Sequence, residues 1–207
     1  MKGKFVTFEG CEGAGKSRQI ALLEQHLKKT GVDYVLTREP GGSPVAEEIR
    51  RVILARENAE MTDVCEALLY AAARAQHLHD TVIPNLERGK LVICDRYLDS
   101  SYAYQAHARG LGMDYVRKIN AFALQYLPNT TIFLDLPPAL AFRRKGGADQ
   151  ADRVELAGRA FHERVYEGYL AVLKEAPGRI VPIDCSGSRE ETHRKIVDAL
   201  VGRGILA

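Results

Sequence analysis

Phe5-Val6-Thr7-Phe8-Glu9-Gly10-Cys11-Glu12-Gly13-Ala14-Gly15-Lys16-Ser17 decides how the rest of the chain is read. An apolar β-run leads into Gly-x-x-x-x-Gly-Lys-Ser, and a helix opens near Lys16. That order is the one a phosphate-binding P-loop requires. Gly10, Gly13 and Gly15 let the backbone curl, so that the N–H groups of Gly10, Cys11, Glu12, Gly13, Ala14 and Gly15 can turn inward on an anion. The helix that follows adds the positive end of its dipole at the same spot. In such a loop Lys16 reaches the β- and γ-phosphates of a nucleotide, and the Ser17 hydroxyl ligates Mg²⁺.

Working outward, four further apolar runs fit buried strands, at residues 34–37, 91–94, 131–136 and 180–184. Helical spacing separates them. Ile20, Leu23 and Leu27 lie on one face and Gly31 stops the helix. Ser43-Pro44 reads as an N-cap with proline at the first helical position. Asp63 and Glu66 read as a capping box opening a long alanine-rich helix to about residue 88, ended by Gly89. Residues 114–127 and 159–174 are helical by period, Pro137-Pro138 opens a helix running to 144, and Ser188 with Glu191 caps the last helix. Strands alternating with helices predict an α/β fold with a five-stranded parallel sheet flanked by helices. Ligands bind such sheets beyond the carboxyl ends of the strands. The P-loop, Arg38-Glu39-Pro40 and Asp95-Arg96 all fall on that edge.

The totals bound the rest. A chain of 207 residues suits one domain, here 1–207, and 46% hydrophobic with 27% charged residues is ordinary for a globular protein. The net charge of +2 gives no broad field for nucleic acid, so any anion site is local. No apolar run reaches the length of a membrane span, and Met1-Lys2-Gly3-Lys4 passes into a strand without a signal-peptide core. Cys11, Cys65, Cys94 and Cys185 form no Cys-x-x-Cys pair, which suits reduced thiols in a cytoplasm.

Asp95-Arg96 ends a buried run, where a bare charge is costly unless paired or bound to a ligand. An ion pair at the strand end is one reading. The other gives Asp95 to the Mg²⁺ shell and Arg96 to a second phosphate. An arginine beside the metal carboxylate, rather than a second acid, suits an anionic acceptor. A phosphate acceptor is already deprotonated near neutral pH, so catalysis reduces to alignment and charge neutralisation. Residues 143–155 mix Arg143, Arg144, Lys145 and Arg153 with glycine, and read either as a solvated helix end or as a short lid closing cations over the reaction. The histidines have no metal-ligand spacing, and a guanine-binding Asn/Thr-Lys-x-Asp signature is absent.

With the P-loop, Thr37-Arg38-Glu39-Pro40-Gly41-Gly42, Tyr70 with Arg74, and the run from Asp95-Arg96-Tyr97 to Ala103-Tyr104-Gln105 in hand, the chain resembles the bacterial thymidylate kinases over nearly its whole length. The resemblance implies a nucleoside-monophosphate-kinase fold, a cytoplasmic homodimer, and ATP-dependent conversion of dTMP to dTDP with Mg²⁺. It implies Tyr70 stacking on thymine, where the family usually has Phe, and Arg74, Ser101 and Gln105 on the base edge. Arg96 would hold the dTMP phosphate. Tyr104 would crowd the sugar C2′ and exclude ribose. Glu12 and Glu39 would face dTMP, and Arg143 with the loop after Asp184 would meet adenine. The P-loop lacks the arginine of eukaryotic-type enzymes, which passes the catalytic cation to the lid. Gly146 and Ala148 stand where arginines often do, leaving Arg144 and Arg153 together for that role, with Arg143 or Lys145 as the alternatives. Rival readings are a kinase for another monophosphate, an ATP-dependent switch or binding module, and a regulatory homologue with a depleted lid.

Overall fold

The structure, a computed structural model, describes residues 2–145, without the side chains of 142–145, and residues 152–207. Residues 146–151 of the segment read as a lid lie outside the described residues. In chain order the elements are β1 (Lys4–Glu9), α1 (Lys16–Thr30), β2 (Tyr34–Arg38), α2 (Pro44–Leu54), α3 (Asp63–His77), α4 (Ile83–Glu87), β3 (Leu91–Asp95), α5 (Leu98–Ser101), α6 (Met113–Ile119), β4 (Thr130–Asp135), α7 (Pro138–Lys145), α8 (Arg159–Glu175), β5 (Ile180–Asp184) and α9 (Arg189–Gly202).

The strands form a five-stranded sheet in the order β2-β3-β1-β4-β5, parallel throughout. The three middle strands are apolar on both faces because helices cover both sides. Phe5, Val92, Cys94 and Phe133 join one core with Leu86, Tyr97 and Val165. Val6, Phe8, Ile93, Ile132 and Leu134 join the other with Leu23, Leu27 and Ile196. The period of two in β1 thus splits its side chains between two cores, each fully buried Leu, Ile or Phe contributing about 1.5–3 kcal/mol. Among the polar exceptions is Thr7, whose hydroxyl lies 2.8 Å from that of Thr131 across the ladder.

This order places β1 at the centre, flanked by β3 and β4, so the loop after β1 sits in the middle of the carboxyl edge. Asp95 closes β3 beside it, and Glu39 follows β2 one strand further out. Three segments far apart in sequence therefore meet.

Helix boundaries depart from the spacing in three places. The long helix is capped by Thr62, whose hydroxyl accepts from Cys65 N at 3.2 Å, not by Asp63. Glu66 is thereby freed from a capping role and is fully buried. The helix runs on through a π turn at Leu78–Val82 into α4. The segment read as one helix at 114–127 breaks at Asn120. Its amide turns inward, accepting from Arg74 at 2.6 Å and donating to the Val116 carbonyl at 2.9 Å. Residues Ala121–Tyr126 then wind as a tighter 3₁₀ stretch. Finally, α5 and the π-helical run Tyr102–Ala108 had no apolar period to announce them. The capping box at Ser188 and Glu191 is present as read.

Candidate active site

The loop after β1 has the conformation its glycines allow. Gly13, at φ 78°, comes so close to α7 that a Cβ there would stand 2.6 Å from the Ala141 carbonyl. Gly15 is left-handed and N-caps α1 without a side chain, which leaves the first-turn N–H groups of α1 unblocked. Lys16 folds back over the loop, donating to the carbonyls of Gly10 at 2.9 Å and Cys11 at 3.3 Å. Burial, then the like charge of Arg96, lowers its pKa. Cys11 is buried, and that burial pushes its thiol up to about 11, an inert group in the loop.

At the end of β3 the Asp95 carboxylate keeps Oδ1 buried without a hydrogen-bond partner among the described residues. Such an atom is costly unless a ligand completes it. Ser17, exposed on the first turn of α1, lines the same cleft. One carboxylate and one hydroxyl, with room for water and phosphate oxygens, suit Mg²⁺ better than an all-protein cage. Consistently, no cluster of three or more His, Cys, Asp or Glu that could hold a metal is found among the described residues. The donor set therefore fits Mg²⁺.

Arg96 adopts φ 68°, a left-handed conformation unusual for a side chain this large. The surroundings over-determine it. Its guanidinium pairs with Glu12 and donates to Gly10 O at 3.2 Å, Ser100 Oγ at 3.3 Å and Tyr169 Oη at 3.0 Å. It also lies 5.2 Å from the Tyr104 ring centroid. Beneath it is a carboxylate that the spacing did not single out. Glu9 accepts from Tyr97 N at 2.7 Å, Ser100 Oγ at 2.6 Å and Tyr169 Oη at 2.8 Å. Burial, reinforced by Asp99, pushes its pKa up to about 7. A charged residue closing an apolar β-run was the available signal.

On the far side of the cleft Glu39 and Arg74 are wired together. Arg74 donates to Glu39 Oε2 at 2.7 Å, to Asn120 Oδ1 at 2.6 Å and to the Tyr97 carbonyl at 3.2 Å. Glu39 Oε1 meets His77 Nδ1 at 2.9 Å, and His77 Nε2 meets the Thr37 hydroxyl at 2.7 Å. A carboxylate accepts, so Nδ1 carries the proton that faces Glu39. Gly42 is required here, because a Cβ would fall 2.4 Å from Thr37 Oγ1 and 2.6 Å from the His77 ring. Both Glu39 oxygens are thus engaged in holding Arg74 and His77.

A solvent-open cleft of about 200 Å³ lies among these groups. Of the site residues named from the sequence, Glu12, Lys16, Ser17, Glu39, Tyr70, Arg74, Asp95, Arg96, Tyr104 and Gln105 line it. Ser101 does not; it is buried, and Ser100 lines the cleft instead. Arg38 and Arg50 also line it. Arg38 lay within the quoted turn, whereas Arg50, on α2, had no local signal. Arg153 does not border the cleft: it donates to Glu66 Oε2 at 2.6 Å and to the Ile53 carbonyl at 2.9 Å. In this arrangement Arg153, expected as a catalytic cation, braces the end of α2 against α3. Arg143 and Arg144 lie on α7, and their side chains are outside what the structure describes.

Comparison with known proteins gives the family and the fold. The family model for thymidylate kinase matches residues 8–196. The thymidylate kinase of Symbiobacterium thermophilum is 49% identical over 193 residues, covering 93% of this chain and 90% of that protein. That of Acholeplasma laidlawii is 46% identical over 201 residues, covering 96% and 99%. The crystal structure of thymidylate kinase from Ehrlichia chaffeensis superposes with a TM-score of 0.78 at 28% identity, covering 97% of this chain and 99% of that one.

Proposed function

This chain belongs to the thymidylate kinase family, and from that premise we propose how its residues divide the work of an ATP-dependent kinase that converts dTMP to dTDP for dTTP synthesis. The observation that carries the assignment of roles is the single cleft, with Lys16, Asp95 and Arg96 at one end and Tyr70, Arg74 and Gln105 at the other.

Gly10 to Gly15 cradle the phosphates of ATP on backbone N–H groups, and Lys16 leaves its own loop carbonyls for the β- and γ-oxygens. Asp95 and Ser17 would hold Mg²⁺, which when bound neutralises charge on the bridged phosphates. Arg96 takes the dTMP phosphate, with Arg38 and Arg50 on the same wall. Its Ser100, Tyr169 and Glu12 contacts fix the guanidinium before substrate arrives, so alignment costs little at the moment of transfer. No side chain has to remove a proton from the acceptor.

Tyr70 stacks on the base, Arg74 and Gln105 meet its edge, and Tyr104 blocks a 2′-hydroxyl. Burial keeps the Tyr104 phenol well above its ordinary pKa, and its Oη has no partner among the described residues. Residues of about 143–155 serve as lid: Asp152, Val154 and Glu155 line the cleft, and Arg144 is the lid cation, with Arg143 towards adenine. Homodimer formation fits the exposed apolar Val45 and Val52 on α2 and Val64 and Leu68 on α3, adjacent packed helices. Cytoplasmic residence belongs to the same reading, with four free cysteines and, among the described residues, no helix long and apolar enough to cross a membrane.

The test is an ADP-release assay with Mg-ATP and dTMP, dUMP, UMP, dCMP, dGMP or AMP. Turnover fastest on dTMP and poor on UMP supports the base pocket and the Tyr104 gate. Equal slow release with every nucleotide and with none refutes the assignment. Asp95→Asn should raise the Mg²⁺ needed for half-maximal rate at least tenfold and leave the dTMP KM within about twofold.

A further inference from the structure

Glu66 is buried on α3 and bears on the cleft through a neighbour. Gln105 Nε2 and Arg109 Nε reach its Oε1 at 3.0 and 3.2 Å. Arg109 Nη2 and Arg153 Nη2 reach its Oε2 at 2.9 and 2.6 Å. Burial pushes the Glu66 carboxyl up, but the bonds from Arg109, Gln105 and Arg153 together outweigh it and hold it below the ordinary carboxylate range. A carboxylate accepts and cannot donate. The amide of Gln105 is therefore turned with its NH₂ on Glu66. Gln105 borders the cleft, and with its nitrogen held on Glu66 the amide oxygen is the atom it can turn to a ligand.

We propose that Glu66 is a specificity-positioning residue: by holding the nitrogen of Gln105, it presents the oxygen of that amide to the base and selects 2,4-dioxopyrimidines over 4-aminopyrimidines. The inference rests on the reading of the cleft as the dTMP site. A dioxopyrimidine offers an N3–H that an amide oxygen accepts. A 4-aminopyrimidine offers a bare N3 there, which the oxygen repels. An unrestrained glutamine could turn over and serve either base, so the selectivity resides in what restrains it.

The consequence of neutralising Glu66 follows from its donors. In Glu66→Gln the new side chain has one oxygen and one NH₂. The Oε2 position faces two arginine nitrogens and retains the oxygen, which leaves the NH₂ facing Gln105. The Gln105 amide then flips and turns its nitrogen to the base.

The experiment measures kcat/KM for dTMP, dUMP and dCMP in the wild type, Glu66→Gln and Arg109→Gln, with melting curves for each. The expected result is a dTMP-to-dCMP ratio at least tenfold lower in Glu66→Gln, carried by the nucleotide KM, with the ATP KM unchanged. Arg109→Gln, which breaks the same cluster but leaves the carboxylate, should lose thermal stability and keep the ratio. An unchanged ratio in folded Glu66→Gln overturns the proposal. So does an equal fall in both variants, which a merely structural role predicts. A wild type inactive on dTMP would instead refute the underlying assignment. Should Glu66→Gln fail to fold, the side-chain amide of Gln105 is followed by ¹⁵N NMR in the wild type, with Gln105→Met identifying its signal. NH₂ protons protected from exchange, before and after dTMP binding, support the proposal; rapid exchange in the free protein overturns it.

Discussion

The two ends of the cleft are built on opposite principles. At the base end, Arg74, Glu39, His77, Thr37 and Asn120 bind one another and hold their arrangement without substrate. At the phosphate end, Lys16 rests on its own loop carbonyls, and the Asp95 Oδ1 atom has no partner among the described residues. One end is rigid because Arg74 is tied into a buried network, and such networks define a single arrangement. The other is finished by ligand, because groups saturated within the protein would have nothing left for phosphate and metal. Arg96 stands between, braced like the first and aimed like the second.

This contrast breaks in measurable ways. Lys16→Met should lower kcat by about 10²–10³-fold while hardly moving the melting temperature, since the lysine satisfies no essential partner in the fold. An ADP-release assay with a thermal melt checks both halves of that statement. Arg74→Met should act in the reverse sense, costing about 3–5 kcal/mol of stability by leaving Glu39 buried with half its partners gone. Urea denaturation reads that loss, and the ATP KM should stay within about twofold.

A smaller effect lies under Arg96. The Glu9 pKa is raised to about 7, so below about pH 4.5 the carboxyl is protonated in both folded and unfolded chains. Above that pH the unfolded chain releases the proton first. Stability from this group is therefore full below about pH 4.5 and lost as pH rises towards 7, by about 3 kcal/mol. Glu9→Gln should flatten that part of the stability–pH curve. Smallest of all, Thr62→Ala at the cap of α3 should cost about 1 kcal/mol, and Asp63→Ala less than half of that, as measured by chemical denaturation.

The sheet and the phosphate loop were legible because both are local patterns. Apolar runs mark the strands within a residue at most ends, and glycine spacing marks the loop. Glu66 shows where such patterns are degenerate. Thr62-x-x-Cys65 and Asp63-x-x-Glu66 both offer a cap three residues from a partner, and what decides is that Glu66 meets Gln105, Arg109 and Arg153 in space. Asn120 was hidden for a similar reason, since a helix broken by a contact 46 residues away carries no sign of it. Arg153 read as a catalytic cation because its charge and position in sequence suited a lid. Its actual partners, the Glu66 carboxylate and the Ile53 carbonyl, come from segments that spacing cannot connect. Glu9 could have been found, because an ionisable group at the end of a buried β-run is costly without a purpose.

The approach of Gly13 to the Ala141 carbonyl has a mechanical consequence. With no room between them for even a methyl group, the phosphate loop and the first turn of α7 move as one part. Any pivot for the chain beyond them must lie on the C-terminal side of Ala141, and hydrogen exchange should report the two segments opening together.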